Sequence, residues 1–404
     1  MTAAKTRILI YSHDTLGLGH LRRARALAHA LVDGLPRASV LIVTGSPFAG
    51  SFAFGAHVDF VRLPGVTKRR DGSYQTLSLP IPLAETVKLR RALIAETARA
   101  FDPDLLVVDK EPLGLKGELE PALDLLERRG ARRVLGLRDV LDAPDALAAE
   151  WARKRALPAL ARYDQIWVYG LAAVCDPLAG LPLAPDVAAR TVFTGYLPRR
   201  GQPAAEPVAR PFGARPFLLV TAGGGADGAP LIDGVLKAYE SGARLPWPAL
   251  VVAGPFCPAP LAKAFSARAR RLADVAFIGF EPRLERLVAE AAAVLAMGGY
   301  NTFCEILTYD RPALLVPRTG PRAEQTIRAR RAEALGLAHR LATPPDDTCA
   351  MLAAIERLAS APPPSAAGLP DLLTGSAVVV ARARDLLAAG RAVPRTTGRA
   401  EAFA

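Results

Sequence analysis

"VLAMGGYNTFCEILTYDRPALLVPRTGPRAEQTIRARRAEALG", residues 294–336, carries the pattern that decides how this chain folds. An apolar run stops at Gly298-Gly299, and a helical pattern opens with Tyr300, Asn301 and Thr302. A second apolar run ends at Pro317, and a second helical pattern opens near Glu324 and Gln325. Strand, turn, helix, then strand again is the mark of a parallel sheet, because a parallel neighbour is reached only through a crossover. The runs lack strict alternation, which predicts strands covered by helices on both faces.

The same segment holds candidate site residues. Asn301 or Thr302 can cap the helix while the exposed amides of Gly299 to Thr302 face an anion. Glu305 falls about one turn further on, where its carboxylate can reach past that anion to a vicinal diol, as the acidic residue of dinucleotide sites does. After the next strand, Glu324 and Gln325 can hydrogen-bond hydroxyl groups. Together these features describe a pocket for a nucleoside diphosphate bearing a sugar; the alternative is an ordinary helix start with a surface glutamate.

Outward from this segment the alternation repeats. Expected strands in the first half are 7–12, 39–44, 57–63, 104–109, 132–138, 165–170 and 191–195. In the second half they are 217–221, 248–254, 274–279, 292–298, 312–317 and 337–341. "GYLPRRGQPAAEPVARPFGARP" (195–216) is rich in Pro, Gly and charge without apolar periodicity, and reads as a linker. The expected organisation is a doubly wound α/β domain over 1–198, a linker over 199–215, and a second such domain over 216–375. A last helix covers 376–390 and a frayed tail 391–404. In such sheets ligands lie beyond the carboxyl ends of the strands, so the residues just after strands are the ones that matter.

The first of these turns is "HDTLGLGHLRRARALAHAL" (13–31). Gly17 and Gly19 permit a sharp turn and remove side-chain bulk where a ligand approaches. His20 titrates nearest neutrality, and Arg23 lies one turn on; a histidine that merely fills the turn is the alternative. Leu21, Ala24, Leu27, Ala28 and Leu31 form the stripe that holds the helix on the sheet. The dinucleotide fingerprint G-x-G-x-x-G fails here, since Arg22 stands at its third glycine. "DLLVVDKEPLG" ends a strand in Asp109, Lys110 and Glu111, either a solvated loop or a cleft edge. A carboxylate there can orient an imidazole from the first loop. In "GLRDVLDAP", Arg138, Asp139 and Asp142 read as structural ion pairs. In "FLLVTAGGGADG", Gly223, Gly224 and Gly225 expose amides that suit a diphosphate, or form a flexible turn; no G-K-[ST] follows, so it is no Walker loop.

Composition sets the frame. A length of 404 residues predicts two domains, and 51% hydrophobic with 22% charged residues predicts a globular chain. Four scattered cysteines argue against a disulfide framework or a zinc site, so no metal is expected. No apolar run reaches about 18 residues and no signal peptide is evident, which predicts a cytoplasmic protein. The net charge of +12 comes from arginines spread through Ala/Arg-rich helices. Without interleaved aromatics it does not predict nucleic-acid binding; it fits solvated faces, or attraction to an anionic ligand or a membrane surface. Lys68, Arg69, Arg70, Arg90 and Arg91, in the segment 62–94, point to a phosphate-bearing or membrane-presented partner.

At "GGYNTFCE", "LLVP" and "AEQTIRA" the chain resembles the donor-binding half of GT-B glycosyltransferases. The resemblance is to the family 28 group around the bacterial enzyme that adds N-acetylglucosamine to a lipid-linked peptidoglycan precursor. "GLGHLRRA" resembles the glycine-rich acceptor-side loop of that family, and also the G-x-G-H-x-x-R of UDP-sugar hydrolases in nonulosonic acid synthesis. The resemblance implies a GT-B fold and a nucleoside-diphosphate sugar (UDP-linked) as donor, with a hydroxyl acceptor that the sequence does not identify; the basic residues of 62–94 suit a lipid-linked or anionic one, reached in the cytoplasm or at the inner membrane face. It implies that Glu305 holds the ribose, that Gly299 to Thr302 with Gly223 to Gly225 hold the diphosphate, and that Glu324 and Gln325 bind the donor sugar. "FIGF" places Phe280 beside the base. His20 would take the acceptor proton with Asp109 as partner, by analogy with inverting plant-type transferases, with no metal cofactor. The family often has a glutamine pair where Glu324-Gln325 stands, and the E-x7-E of retaining enzymes is absent, which implies inversion. A nucleotide-sugar hydrolase and a non-catalytic nucleotide-sugar binding module are the alternatives.

Overall fold

A computed structural model describes residues 6–13, 19–68, 73–199 and 211–390. Gly17, residues 69–70, residues 200–210 of the expected linker and 391–404 of the expected tail lie outside the described residues. In chain order the first half contributes β1 (Thr6–Ser12), β2 (Ala38–Thr44), β3 (Val58–Arg62), β4 (Val66–Lys68), β5 (Tyr74–Thr76), β6 (Leu105–Asp109), β7 (Arg132–Arg138), β8 (Gln165–Tyr169) and β9 (Thr191–Phe193). The second half contributes β10 (Leu218–Thr221), β11 (Ala249–Val252), β12 (Val275–Ile278), β13 (Ala293–Ala296), β14 (Ala313–Leu315) and β15 (His339–Arg340).

Each half builds one parallel sheet. The first runs β3-β2-β1-β6-β7-β8-β9 and the second β12-β11-β10-β13-β14-β15. The central strands are buried end to end, as in β6 (Leu105–Asp109) and β13 (Ala293–Ala296), which is why their sequences read as unbroken apolar runs, while the edge strands are partly exposed. The short antiparallel pair β4–β5, with Val66 opposite Thr76, was not expected from the sequence. Three-residue strands without an apolar run give no periodic signal.

Both sheets reverse their strand order once, between β1 and β6 and between β10 and β13. At such a switch point the two outgoing loops diverge and leave a crevice. The first crevice therefore joins the residues after β1 and β6, and the second joins those after β10 and β13. His20 and Asp109 flank one; Gly223-Gly224 and Gly298-Gly299 flank the other.

The halves are packed together. One apolar layer runs from Ile8, Leu27 and Val107 through Tyr196 and Phe303 to Leu287 and Val294. The helix Gly375–Ala388 returns to lie against the helix Gly19–Gly34, where Val380 fills the space a Cβ on Gly34 would need. At the seam Asp139 accepts from Arg328 Nε (2.8 Å), Arg328 Nη2 (2.6 Å) and Tyr196 Oη (2.8 Å), with both charged side chains fully buried. Arg322 reaches Glu150 at 2.8 Å and Asp142 at 3.3 Å. Asp139 and Asp142 are thus ion-paired as expected, whereas Arg138, expected to pair with them, makes no ion pair with any described residue. Arg90 corrects the sequence reading: it is buried and pairs with Glu118 through Nε and Nη2, both at 2.6 Å, so it offers nothing to a membrane or a ligand. No helix among the described residues is long and apolar enough to cross a membrane.

Candidate active site

The helix Gly19–Gly34 starts directly at the first crevice and turns its apolar stripe, Leu21, Ala24, Leu27, Ala28 and Leu31, onto the sheet. That orientation buries Arg23 as well, against the end of β6. Arg23 Nε donates to Asp109 Oδ1 and Nη2 to Oδ2, both at 2.8 Å, and His20 Nδ1 lies against Asp109 Oδ2. Burial disfavours the Asp109 carboxylate, but Arg23 and His20 outweigh it and hold its pKa well below the usual range. For His20, burial dominates over Asp109 and lowers the pKa to about 4. At neutral pH the pair is therefore carboxylate and neutral imidazole. With Nδ1–H donating to Asp109, the lone pair sits on Nε2, free to accept a proton. Arg23, expected as part of an acceptor-side loop, instead clamps the carboxylate. Asp109 and Glu111 are buried, which decides against a solvated loop; Glu111 is paired with Lys110 at 3.1 Å and Lys154 at 2.9 Å.

The opposite wall comes from the second crevice. Gly298 sits at φ 78°, a turn that glycine makes without strain, and Gly299 is the N-cap of the helix Tyr300–Thr308. No side chain caps that helix, which corrects the expectation that Asn301 or Thr302 does so. Asn301 instead ties the halves: its Nδ2 donates to Gly19 O at 3.0 Å, and its Oδ1 accepts from Arg199 at 2.7 Å. The first-turn N–H groups have no intrahelical acceptor, so they and the helix dipole present partial positive charge. Gly223 and Gly224 adjoin them across the switch point.

Between these walls lies a cavity of about 220 Å³ that includes Gly19, His20, Gly223, Gly224, Phe280, Gly299, Tyr300, Asn301, Thr302, Glu324 and Gln325. It meets a groove of about 940 Å³ along Arg22, Phe52 and Pro282, and the two together have the size of a small-molecule site. Glu324 Oε1 accepts from Arg318 at 2.8 Å, while its Oε2 is buried without a hydrogen-bond partner. Gln325 Oε1 accepts from the Arg318 N–H at 3.2 Å.

Two expected residues behave differently. Gly225 does not line the cavity: at φ 89° it packs against the turn that follows β11, where a Cβ would sit 2.4 Å from Ala253 O. Its small size serves packing, not a ligand. Glu305 is fully buried and paired with Arg22 from the other half, a contact that also brings Arg22 to 3.4 Å from Glu285. Burial raises the Glu305 pKa against the pull of Arg22, and Oε2 has no partner. Arg22, Arg138 and Arg318 line the cavity and were not singled out from the sequence as ligand-facing. An arginine in an Ala/Arg-rich helix gives no local signal of this kind.

A separate cavity of about 350 Å³ opens on the other side of the first crevice, lined by His13, Tyr74, Glu111, Lys116, Lys154 and Arg155 among others. His13 connects it to the site, its ring 5.8 Å from that of His20.

Comparison with known structures identifies this arrangement as the GT-B fold. The kitacinnamycin glycotransferase superposes with a TM-score of 0.59 at 17% identity, over 96% of this chain and 99% of its own. MurG of Acinetobacter baumannii gives 0.58 at 13% identity, over 95% of this chain and 100% of its own. A UDP-glucosyltransferase from Polygonum tinctorium gives 0.60 at 16% identity, over 96% and 99%. At these identities the likeness is one of fold. No family model and no curated protein matches the sequence.

Proposed function

We propose that this protein is an inverting glycosyltransferase that moves a sugar from a nucleoside diphosphate, UDP, to a hydroxyl acceptor. The observation that carries the reading is the neutral His20, oriented by an ionised Asp109, facing uncapped helix amides across one cavity. The diphosphate would lie against the amides of Gly299 to Thr302 and the Gly223-Gly224 turn, with Phe280 beside the base. Glu324 and Gln325 would hold the sugar hydroxyls. A ribose diol would reach Glu305, which is fully buried behind Arg22 and does not line the cavity, only by displacing Arg22.

Nε2 of His20 would take the acceptor proton as the acceptor oxygen attacks the anomeric carbon. The bond from that carbon to the phosphate oxygen breaks on the opposite face, and the nucleoside diphosphate leaves. Charge developing on the leaving phosphate meets the helix amides, a preorganised stabilisation that needs no metal. The cavity beside His13 is the candidate acceptor site, and its lysines and arginines suit an anionic or lipid-linked acceptor. The GT-B neighbours at full chain coverage support a transferase rather than a binding module.

The test is release of nucleoside diphosphate from UDP-sugars with and without pooled hydroxyl acceptors, in wild type and His20→Ala. Acceptor-dependent release that His20→Ala abolishes supports transfer. Equal release without acceptor points to hydrolysis, and binding without release points to a binding module; either outcome refutes the proposal.

A further inference from the structure

Arg138 ends β7 and lines the proposed donor cavity together with Tyr300 and Glu324. The other arginines lining that cavity each hold an acid: Arg22 holds Glu305, Arg23 holds Asp109, and Arg318 holds Glu324 at 2.8 Å. Arg138 makes no ion pair or hydrogen bond with any described residue, and its Nε is buried without a partner. Burial draws its pKa down to about 10 while Glu324 partly offsets the loss, so the group stays cationic at neutral pH. The side chain is half-buried, with its Nε shut off from water, and a guanidinium partly withdrawn from water without a counter-ion is expected to meet an anion supplied by a ligand.

Its surroundings say which part of a ligand. Glu324, whose free Oε2 suits a sugar hydroxyl, lines the same cavity and is the acid whose charge acts most strongly on Arg138. The diphosphate has its own partners in the helix amides and the glycine turn. Arg138 is therefore assigned, with Glu324, to the sugar rather than to the diphosphate. A planar guanidinium fork matches a carboxylate through two parallel hydrogen bonds. We propose that Arg138 is a specificity-determining residue for a donor whose sugar carries a carboxylate, a nucleoside-diphosphate hexuronic acid. This rests on the reading of the cavity as a donor site.

The test is calorimetric titration of UDP, UDP-glucose and UDP-glucuronate into wild type and Arg138→Met. Wild type is expected to bind UDP-glucuronate about 10- to 100-fold more tightly than UDP-glucose, the range for a hydrogen-bonded charge. Arg138→Met removes that preference, leaves UDP affinity unchanged, and melts no lower than wild type, because no ion pair is broken. Equal affinity of wild type for the two UDP-sugars overturns the proposal, whatever the variant does. Equal weakening of all three ligands in Arg138→Met also overturns it, and makes Arg138 a phosphate ligand. Failure of wild type to bind UDP at all overturns the donor-site reading as well, whereas UDP binding without a sugar preference overturns only the role of Arg138.

Discussion

Replacing Asp109 by Asn separates what this carboxylate does for folding from what it does for chemistry. In the native chain its two oxygens take both donors of Arg23 and the Nδ1 side of His20, in a site 2% exposed. Asn keeps the shape but leaves the Arg23 guanidinium buried without a counter-charge, a loss of about 3–5 kcal/mol. That is a large part of the roughly 5–15 kcal/mol by which a domain is stable. Asp109→Asn combined with Arg23→Met removes both charges and leaves only polar groups short of partners, about 1–3 kcal/mol. The second substitution should therefore recover about 2 kcal/mol, a coupling expected for residues in contact. Activity follows a different course. Both variants lose the group that fixes the tautomer of His20, and both should lose about 10²–10⁴ in rate. Urea unfolding measures the first quantity and initial-rate release of nucleoside diphosphate the second. If activity returns together with stability in the double variant, Asp109 is a structural anion and the proposed base is wrong.

The remaining expectations are independent of one another. His20→Gln should lessen the fall in stability at acid pH, the buried His13, held low by burial as well, keeping its own share. The native imidazole has its pKa lowered to about 4, so the unfolded chain binds the extra proton and stability falls as pH drops from about 6.5 to 4, with His20 contributing roughly 3 kcal/mol of the fall in wild type. Thermal unfolding across that range reads it, and an unchanged slope in the variant would falsify the assignment. Turnover by wild type should likewise stay level down to about pH 5, with its acid limb near 4; a limb near 6.5 contradicts the buried environment of the base. Asp139→Asn should cost about 3–5 kcal/mol in urea unfolding, since it strands the fully buried Arg328 at the seam. A midpoint equal to wild type would mean that the halves do not hold each other there. Gly225→Ala should destabilise the fold without a change in UDP affinity among the folded molecules, because its Cβ meets Ala253 O and not the cavity. Lost affinity with intact stability would return Gly225 to the diphosphate site.

Local chemistry wrote much of this protein into its sequence. Apolar runs such as DLLVVD and AAVLAMG have only one way to bury both faces, so the parallel sheets follow from them, and the order of glycine, helix start and acid marks the loops that carry the site. The choice among neighbouring residues is not written there. Arg138 and Asp139 are adjacent at the end of β7 and diverge, the first lining the cavity and the second entering the seam with Arg328. Along an extended chain successive side chains point to opposite faces, and only the packed neighbours decide which face is cavity and which is core. The same holds for Arg22 and Glu305, 283 residues apart, and for Arg90 and Glu118, 28 apart. Charge pairs of this kind exist only once the helices have been carried into contact, because the attraction between two ions depends on distance and on the removal of water, and sequence separation specifies neither.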